Sequence, residues 1–276
     1  MKLINIGCGQ TLHPDWINLD LVPSSSAVRS FDIRRGLPFA DRTCDVCYSS
    51  HVLEHLQPAQ ASFLIAEAFR VLKPGGILRV IVPDLEQIAR LYLATLEQSL
   101  SGDSQAIAQY DWMLLELLDQ MTRTHGGGEM GQYLDRLNAP NADLTLDFVR
   151  SRMGAEIDNY YQAKQLTRWQ KIKSKRPAWY LQKIRIKIAE LFVLLIAGKQ
   201  AQKGFQEGLF RNSGELHRWM YDRFSLQQLL SQTGFIEIQV CQATESRIPN
   251  FNDFGLDILQ GQIRKPDSLF MEAVKP

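Results

Sequence analysis

Cysteine is scarce in this chain: Cys8, Cys44, Cys47 and Cys241 are the only four in 276 residues. Cys44 and Cys47 alone are close together, and the run Cys44-Asp45-Val46-Cys47-Tyr48 reads as a strand, where residues three apart point to opposite faces. With no second pair, a four-cysteine zinc site is excluded, and buried reduced thiols are expected. An excess of charge is also missing, since 31 lysines and arginines face 30 aspartates and glutamates. No global field draws in nucleic acid, and no nucleic-acid partner is expected. The apolar run from Ile188 to Ala197 falls short of the roughly 20 residues that span a bilayer. Met1-Lys2-Leu3-Ile4-Asn5 enters a strand pattern directly rather than a charged and then apolar leader, so the expected location is cytoplasmic. Internal repeats and low-complexity tracts are lacking too.

Short apolar strands alternating with helical periodicity are what the chain does have, the pattern of an open parallel sheet covered by helices. Strands are expected at Lys2 to Ile6, Trp16 to Leu19, Ala27 to Phe31, Asp45 to Ser49 and Ile77 to Val82. Before the last of these, Phe63, Ala66, Phe69, Arg70 and Leu72 give helical spacing, stopped by Lys73-Pro74-Gly75-Gly76. From Ile88 to Phe210 only helical periodicity is found, as in Ile107, Tyr110, Leu114, Leu117 and Met121, broken at His125-Gly126-Gly127-Gly128. Strand patterns return at Phe235 to Cys241 and Ser268 to Val274. Three parts are therefore expected: 1–87, a helical insertion over 88–210, and a return to the sheet over 211–276.

Within the insertion, Lys164 to Lys187 holds nine lysines and arginines and no acidic residue, and it leads into the apolar run Ile188 to Ala197. Such a segment, 164–197, suits peripheral contact with an anionic membrane, or equally a solvated basic face beside a buried helix.

The chemistry-bearing motifs begin with Ile4-Asn5-Ile6-Gly7-Cys8-Gly9, an apolar strand turning through two glycines at the end of the sheet where ligands bind. A plain tight turn has the same signature. A dinucleotide site would want a third glycine where Leu12 stands, which argues against a dehydrogenase. Trp16-Ile17-Asn18-Leu19-Asp20 ends a strand with a carboxylate able to accept both hydroxyls of a ribose. Phe31-Asp32-Ile33 offers acidic and backbone groups suited to an adenine edge. Then come Leu37-Pro38-Phe39, the run Asp45 to Leu56, and Val71-Leu72-Lys73-Pro74-Gly75-Gly76-Ile77-Leu78.

In this order the series resembles the class I S-adenosylmethionine-dependent methyltransferases, in particular the small bacterial members of the broad type 11 group. The resemblance covers about residues 3 to 86, with Leu226 to Val240 and Asp267 to Val274 matching the last two strands. It implies a Rossmann-like α/β fold, a seven-stranded sheet whose last strand is antiparallel, carrying a helical insertion. S-adenosylmethionine is the cofactor it implies. Gly7, Cys8 and Gly9 would pack on the methionine part, Asp20 with Leu21 would hold the ribose, and Asp32 and Ile33 would flank the adenine. Ser50 and His51, within Ser49 to Leu56, would line the methyl side. One departure stands out: only nine residues separate Gly7 from Ile17, whereas a parallel crossover takes about a dozen or more. The first helix must be missing or reduced to a turn, and Asn5, the amides after Gly9 or an insertion residue would replace its N-terminus at the cofactor carboxylate.

Transfer from a sulfonium needs orientation rather than a metal, and none is expected. Candidate proton acceptors are His51 and Asp84, which follow strands, and His125 and His217 outside the cofactor half. His55 is assigned a structural role four residues after His51 on a first helical turn. The run His51-Val52-Leu53-Glu54-His55 resembles a zinc helix, but Val52 stands where that motif requires glutamate. The glycines after His125 resemble an esterase loop, yet no Gly-x-Ser-x-Gly elbow occurs, so they read as a flexible loop near the acceptor or a helix stop. Ser49-Ser50-His51-Val52 replaces the tetrapeptide of many nucleic-acid amino methyltransferases. The expected activity is methyl transfer to a small-molecule, sugar or lipid-like acceptor at oxygen, with a catalytically inactive nucleotide-binding module as the alternative.

Overall fold

Four consecutive buried residues, Leu3–Ile6, form β1, and a strand buried on both faces needs cover above and below. It pairs in parallel with β2 (Trp16–Asp20), which pairs with β3 (Val28–Ser30), and on its other side with β4 (Cys44–Ser50), which pairs with β5 (Leu72–Pro83). The computed structural model describes residues 1–137, 143–165, 167 and 177–276. After β6 (Ile236–Cys241) and a small hairpin of β7 (Ile258–Leu259) and β8 (Gln262–Ile263), β9 (Ser268–Val274) slots antiparallel between β5 and β6. The seven-stranded order is β3-β2-β1-β4-β5-β9-β6. Strand order reverses between β1 and β4, the switch point at which open sheets bind ligands.

The crossover from Gly7 to Asp15 contains no helix. Hydrogen bonds hold it instead: the buried Asn5 amide donates to the Thr11 carbonyl (2.9 Å) and to Asn18 Oδ1 (3.1 Å), and the Cys8 amide donates to the Leu19 carbonyl (3.0 Å).

Helix α1 (Pro58–Val71) covers one sheet face, opened by proline in its first turn and a reciprocal Gln57–Gln60 cap. Its buried face is Ala61, Leu64, Ile65, Ala68 and Val71. The expected face is thereby corrected: Phe63 and Ala66 are exposed, and Leu72 already belongs to β5. Both stripes have helical spacing, but it is Ala61, Leu64, Ile65, Ala68 and Val71 that join the buried core, with Phe69 packed against it. Lys73 to Gly76 bulge out between the Cys44–Leu72 and Val46–Ile77 pairs.

The opposite face is closed by the segment after β6, where Phe251 and Leu256 join Trp16, Tyr48 and Phe270. Beneath them Arg79, fully buried, pairs with Asp257 (2.8 Å) and Glu272 (2.7 Å). Tyr48 donates to Asp257 at 2.5 Å.

From residue 85 the described chain is helical: α2 (Leu85–Leu100), α3 (Ser104–Thr122), α4 (Gly128–Leu137), α5 (Asp143–Met153), α6 (Glu156–Gln165) and α7 (Pro177–Arg211). No strand interrupts them among the described residues. Helices α2 to α6 share a core around Ile88, Trp112, Met113, Val149 and Ile157. On α3 the helical spacing expected from Ile107 to Met121 is present: Ala106, Trp112, Met113 and Glu116 are buried, Leu117 and Met121 pack against that core, and Ile107 is exposed. Glu116 accepts from Trp112 Nε1 at 2.9 Å and takes both arms of Arg152, a buried charge pair that only a folded partner could stabilise.

Helix α7 breaks at Gly198 (φ +82°) and leaves Leu195 and Ile196 72% and 83% exposed. Among the described residues no helix is long and apolar enough to cross a membrane. Of the basic stretch 164–187, residues 166 and 168–176, including Trp169, lie outside the described residues. The chain returns through α8 (Arg223–Thr233), capped by Asp222 and ended by Gly234 in the left-handed region, which packs beside α1.

Candidate active site

Two cavities open at the carboxyl ends of the parallel strands, one of about 670 Å³ and one of about 430 Å³. They share three lining residues, Gly7, Gly9 and His51. Gly7 has φ +66°, and a Cβ there would stand 2.4 Å from a methyl of Val52. Gly9 has φ +54° with no atom within 4 Å of where a Cβ would be. Substitution at the first would wedge the β1 turn off the wall after β4, and at the second would project into the ligand space.

The smaller cavity is walled by the ends of β2 and β3, with Asp20, Leu21, Phe31, Asp32 and Ile33 together. Asp20 Oδ2 accepts from the Gly9 amide and Oδ1 from the Val22 amide, both at 2.9 Å, so the carboxylate fixes the glycine turn. Each oxygen still has lone-pair capacity for a further donor. Asp32 is engaged otherwise: it caps the turn Ile33–Arg35 and receives the Arg34 guanidinium at 2.8 and 2.9 Å. That side-chain bond from Arg34 holds its carboxyl below the usual range. Asn212, Gly214 and Arg218 close the far side.

The larger cavity takes Asn5, Cys8, Ser50 and Ile81 from the sheet, Glu156, Asn159 and Tyr160 from α6, and Asp257, Arg264 and Lys265 from the segment around the small hairpin. Burial pushes the Cys8 thiol up to about 11, with the Asp20 charge adding to it. The Asn5 amide, spent on Thr11 and Asn18, shapes the cavity floor.

His51 sits at the seam with φ +53°, a left-handed conformation that costs a non-glycine residue about 1 to 3 kcal/mol. Its Nε2 is 2.8 Å from Ser268 Oγ, and its Nδ1 lies 3.1 Å from Glu54 Oε1. Glu54 is fully buried and neither carboxylate oxygen has a properly aligned hydrogen bond. Burial drives its carboxyl upward, but His51, His55 and His217 around it outweigh that and hold it at about 2. His217, buried behind His55 with ring centroids 4.9 Å apart, is pushed down to about 3 by its burial, with Glu54 opposing.

His51 and His55 do not share a helical face as expected: Leu53–His55 is a 3-10 turn, and α1 begins only at Pro58. His55 lines the smaller cavity beside His51. Three of the candidates line neither cavity: the buried His217, Asp84 and His125. Asp84 caps α2 by accepting from the Gln87 amide, with burial raising its carboxyl. His125 is exposed. The glycines after it neither roam free nor stop a helix: Gly127 donates to Glu215 (3.1 Å), and Gly128 starts α4, whose first amides bond the Asp119 carboxylate. Sequence reasoning passed over Glu54, although a lone acidic residue within Val52 to Leu56 was a signal. It also passed over Glu156, Arg264 and Lys265, which carry no local signal.

Residues 5–80 match a family model described as a methyltransferase domain, a stretch that holds the second half of β1, all of β2 to β4 and α1, and most of β5. Over that stretch the chain is similar to methyltransferase domains. Solved structures similar to this chain include an S-adenosylmethionine-dependent methyltransferase from Thermotoga maritima, 11% identical, with a TM-score of 0.38 over 100% of this chain and 82% of that one. Another, from Archaeoglobus fulgidus, is 10% identical with a TM-score of 0.39 over 99% of this chain and 86% of that one. No curated protein matches this chain.

Proposed function

We propose that this methyltransferase acts on an oxygen of a small-molecule, sugar or lipid-like acceptor, with adenosine in the smaller cavity and the acceptor in the larger. The observation that carries this reading is the shared wall, because a methyl group must pass between two pockets that touch at one place, here Gly7, Gly9 and His51. S-adenosylmethionine, when bound, supplies an activated methyl group on a sulfonium with a good leaving group. Asp20 receives the ribose hydroxyls. Phe31, Ile33 and Leu21 offer apolar faces to the adenine, while Asp32, already paired with Arg34, contributes through its backbone. Gly7, Cys8 and Gly9 let the methionine part lie against the backbone. Arg264 and Lys265 provide the positive charge that the missing first helix would otherwise bring to a carboxylate. Ser50 and His51 border the transferring methyl, and His51 takes the proton from the acceptor hydroxyl.

Residues 1–87 and 211–276 act as one sheet unit in this reading, and 88–210 roofs the acceptor through Glu156, Asn159 and Tyr160. The mixed acidic, amide and aromatic lining suits a polar acceptor. Calorimetric titration with S-adenosylmethionine, followed by transfer of a labelled methyl group to a panel of hydroxylated metabolites, tests the whole. Binding with a labelled oxygen ether or ester as product is expected. Absence of cofactor binding overturns the reading, and label on nitrogen overturns the accepting atom.

A further inference from the structure

Three lone-pair donors converge on the wall behind His51. One oxygen of Glu54 and one ring nitrogen each of His55 and His217 all lie within 4.8 Å of one another, two of the three residues being buried. The hydrogen bonds say which atoms face inward. His55 Nδ1 is 3.2 Å from the Leu216 carbonyl, which can only accept, so Nδ1 carries the proton and Nε2 presents a bare lone pair 4.0 Å from Glu54 Oε1. An imidazole whose far nitrogen donates to a carbonyl is the arrangement that orients histidine ligands on metals. Glu54 is wholly enclosed; His51 Nδ1 lies 3.1 Å from Oε1, but no aligned hydrogen bond reaches either oxygen, and a buried carboxylate whose oxygens are not fully bonded is a costly group that a bound cation would stabilise.

We propose that Glu54, His55 and His217 bind one divalent transition-metal ion. A carboxylate with two imidazoles suits zinc, manganese or iron(II) rather than magnesium or calcium, which prefer all-oxygen sites. Bonds of about 2.0 to 2.2 Å at tetrahedral angles hold ligand atoms ~3.4 Å apart, so the widest pair needs to close by about 1.4 Å. The ion ties together two distant segments. The turn Leu53–His55 and the strand-like stretch Leu216 to Arg218 are already joined by the Arg218 amide donating to the Glu54 carbonyl at 2.6 Å. His51, with Nδ1 3.1 Å from the same carboxylate, borders the site and both cavities.

The site does not depend on methyl transfer, so its test reads metal directly. The full chain, stripped with chelator and dialysed, is titrated with Zn²⁺ and Mn²⁺ by calorimetry and with Co²⁺ by visible absorption. One ion per chain is expected, with a tetrahedral or five-coordinate cobalt spectrum. Glu54→Gln and His55→Ala should each weaken binding at least about 100-fold, because loss of an outer partner alone costs ~10- to 100-fold. His13→Ala, at the first crossover, should bind as wild type. The His55 side chain is partly exposed, so His55→Ala remains informative if Glu54→Gln fails to fold by circular dichroism. Failure of the wild-type chain to take up a stoichiometric ion, or undiminished binding by folded His55→Ala, overturns the proposal.

Discussion

The two cavities are built from different kinds of sequence. The smaller takes most of its wall from residues 7 to 60, where each strand end follows the last along the chain, and borrows only a short stretch between Asn212 and Arg218. The larger gathers residues from Asn5 to Phe270, joining the sheet to α6 and to the loop that holds β7 and β8. A pocket assembled from consecutive loops of one sheet edge keeps its motif in the sequence. A pocket assembled across more than 250 positions does not. The smaller cavity therefore lies mostly within the stretch that matches the methyltransferase-domain model, residues 5–80, while the larger draws heavily on residues beyond it.

The sharpest way to break that division is at the seam. His51→Ala should cut the turnover number by roughly 10²- to 10⁴-fold while cofactor affinity stays within a few-fold. Single-turnover kinetics beside titration calorimetry separates the two quantities, and loss of cofactor binding would make His51 part of the pocket wall instead. Next in size, Asp20→Ala should weaken S-adenosylmethionine binding by about 1.5 to 3 kcal/mol, the scale of lost charge-assisted hydrogen bonds plus the loosened Gly9 turn. Equal affinity in that variant would move the ribose elsewhere.

On the acceptor side, Glu156→Gln should leave cofactor affinity within about two-fold and lower kcat/KM for the acceptor by roughly ten-fold, a loss near 1.4 kcal/mol. A variant with the opposite pattern would exchange the roles of the two cavities. The smallest effect per residue concerns α7. If its exposed apolar residues, beside Lys183, Arg185 and Lys187, rest on an anionic membrane, each cation contributes about 1 kcal/mol that salt screens. Sedimentation with phosphatidylserine vesicles at low and high salt measures this, and no pelleting at low salt leaves α7 without a lipid partner.

Much of the sheet was legible because buried parallel strands are short apolar runs with turn residues at both ends, as at Leu3–Ile6 and Cys44–Ser50. The missing first helix was legible too, since nine residues cannot hold a parallel crossover with a full helix. The buried face of α1 was not. A second apolar stripe, with Phe63 in it, mimics the buried one, and periodicity cannot tell which stripe meets the sheet. Asp84 looked available although an aspartate three residues before Gln87 is the local pattern of a helix cap, whereas the exposure of His125 is a tertiary fact.

By itself the sequence determined the succession of strands along the chain, the glycine turn after β1, and the acidic strand end at Asp20, because these depend on residues adjacent along the chain. Only the tertiary structure decided that Glu54 would be enclosed by three histidines, one of them His217, and that His51 would lie between two cavities. Ionisable groups far apart in sequence acquire a shared electrostatic environment only when packing removes the water between them, and one-dimensional spacing carries no record of that.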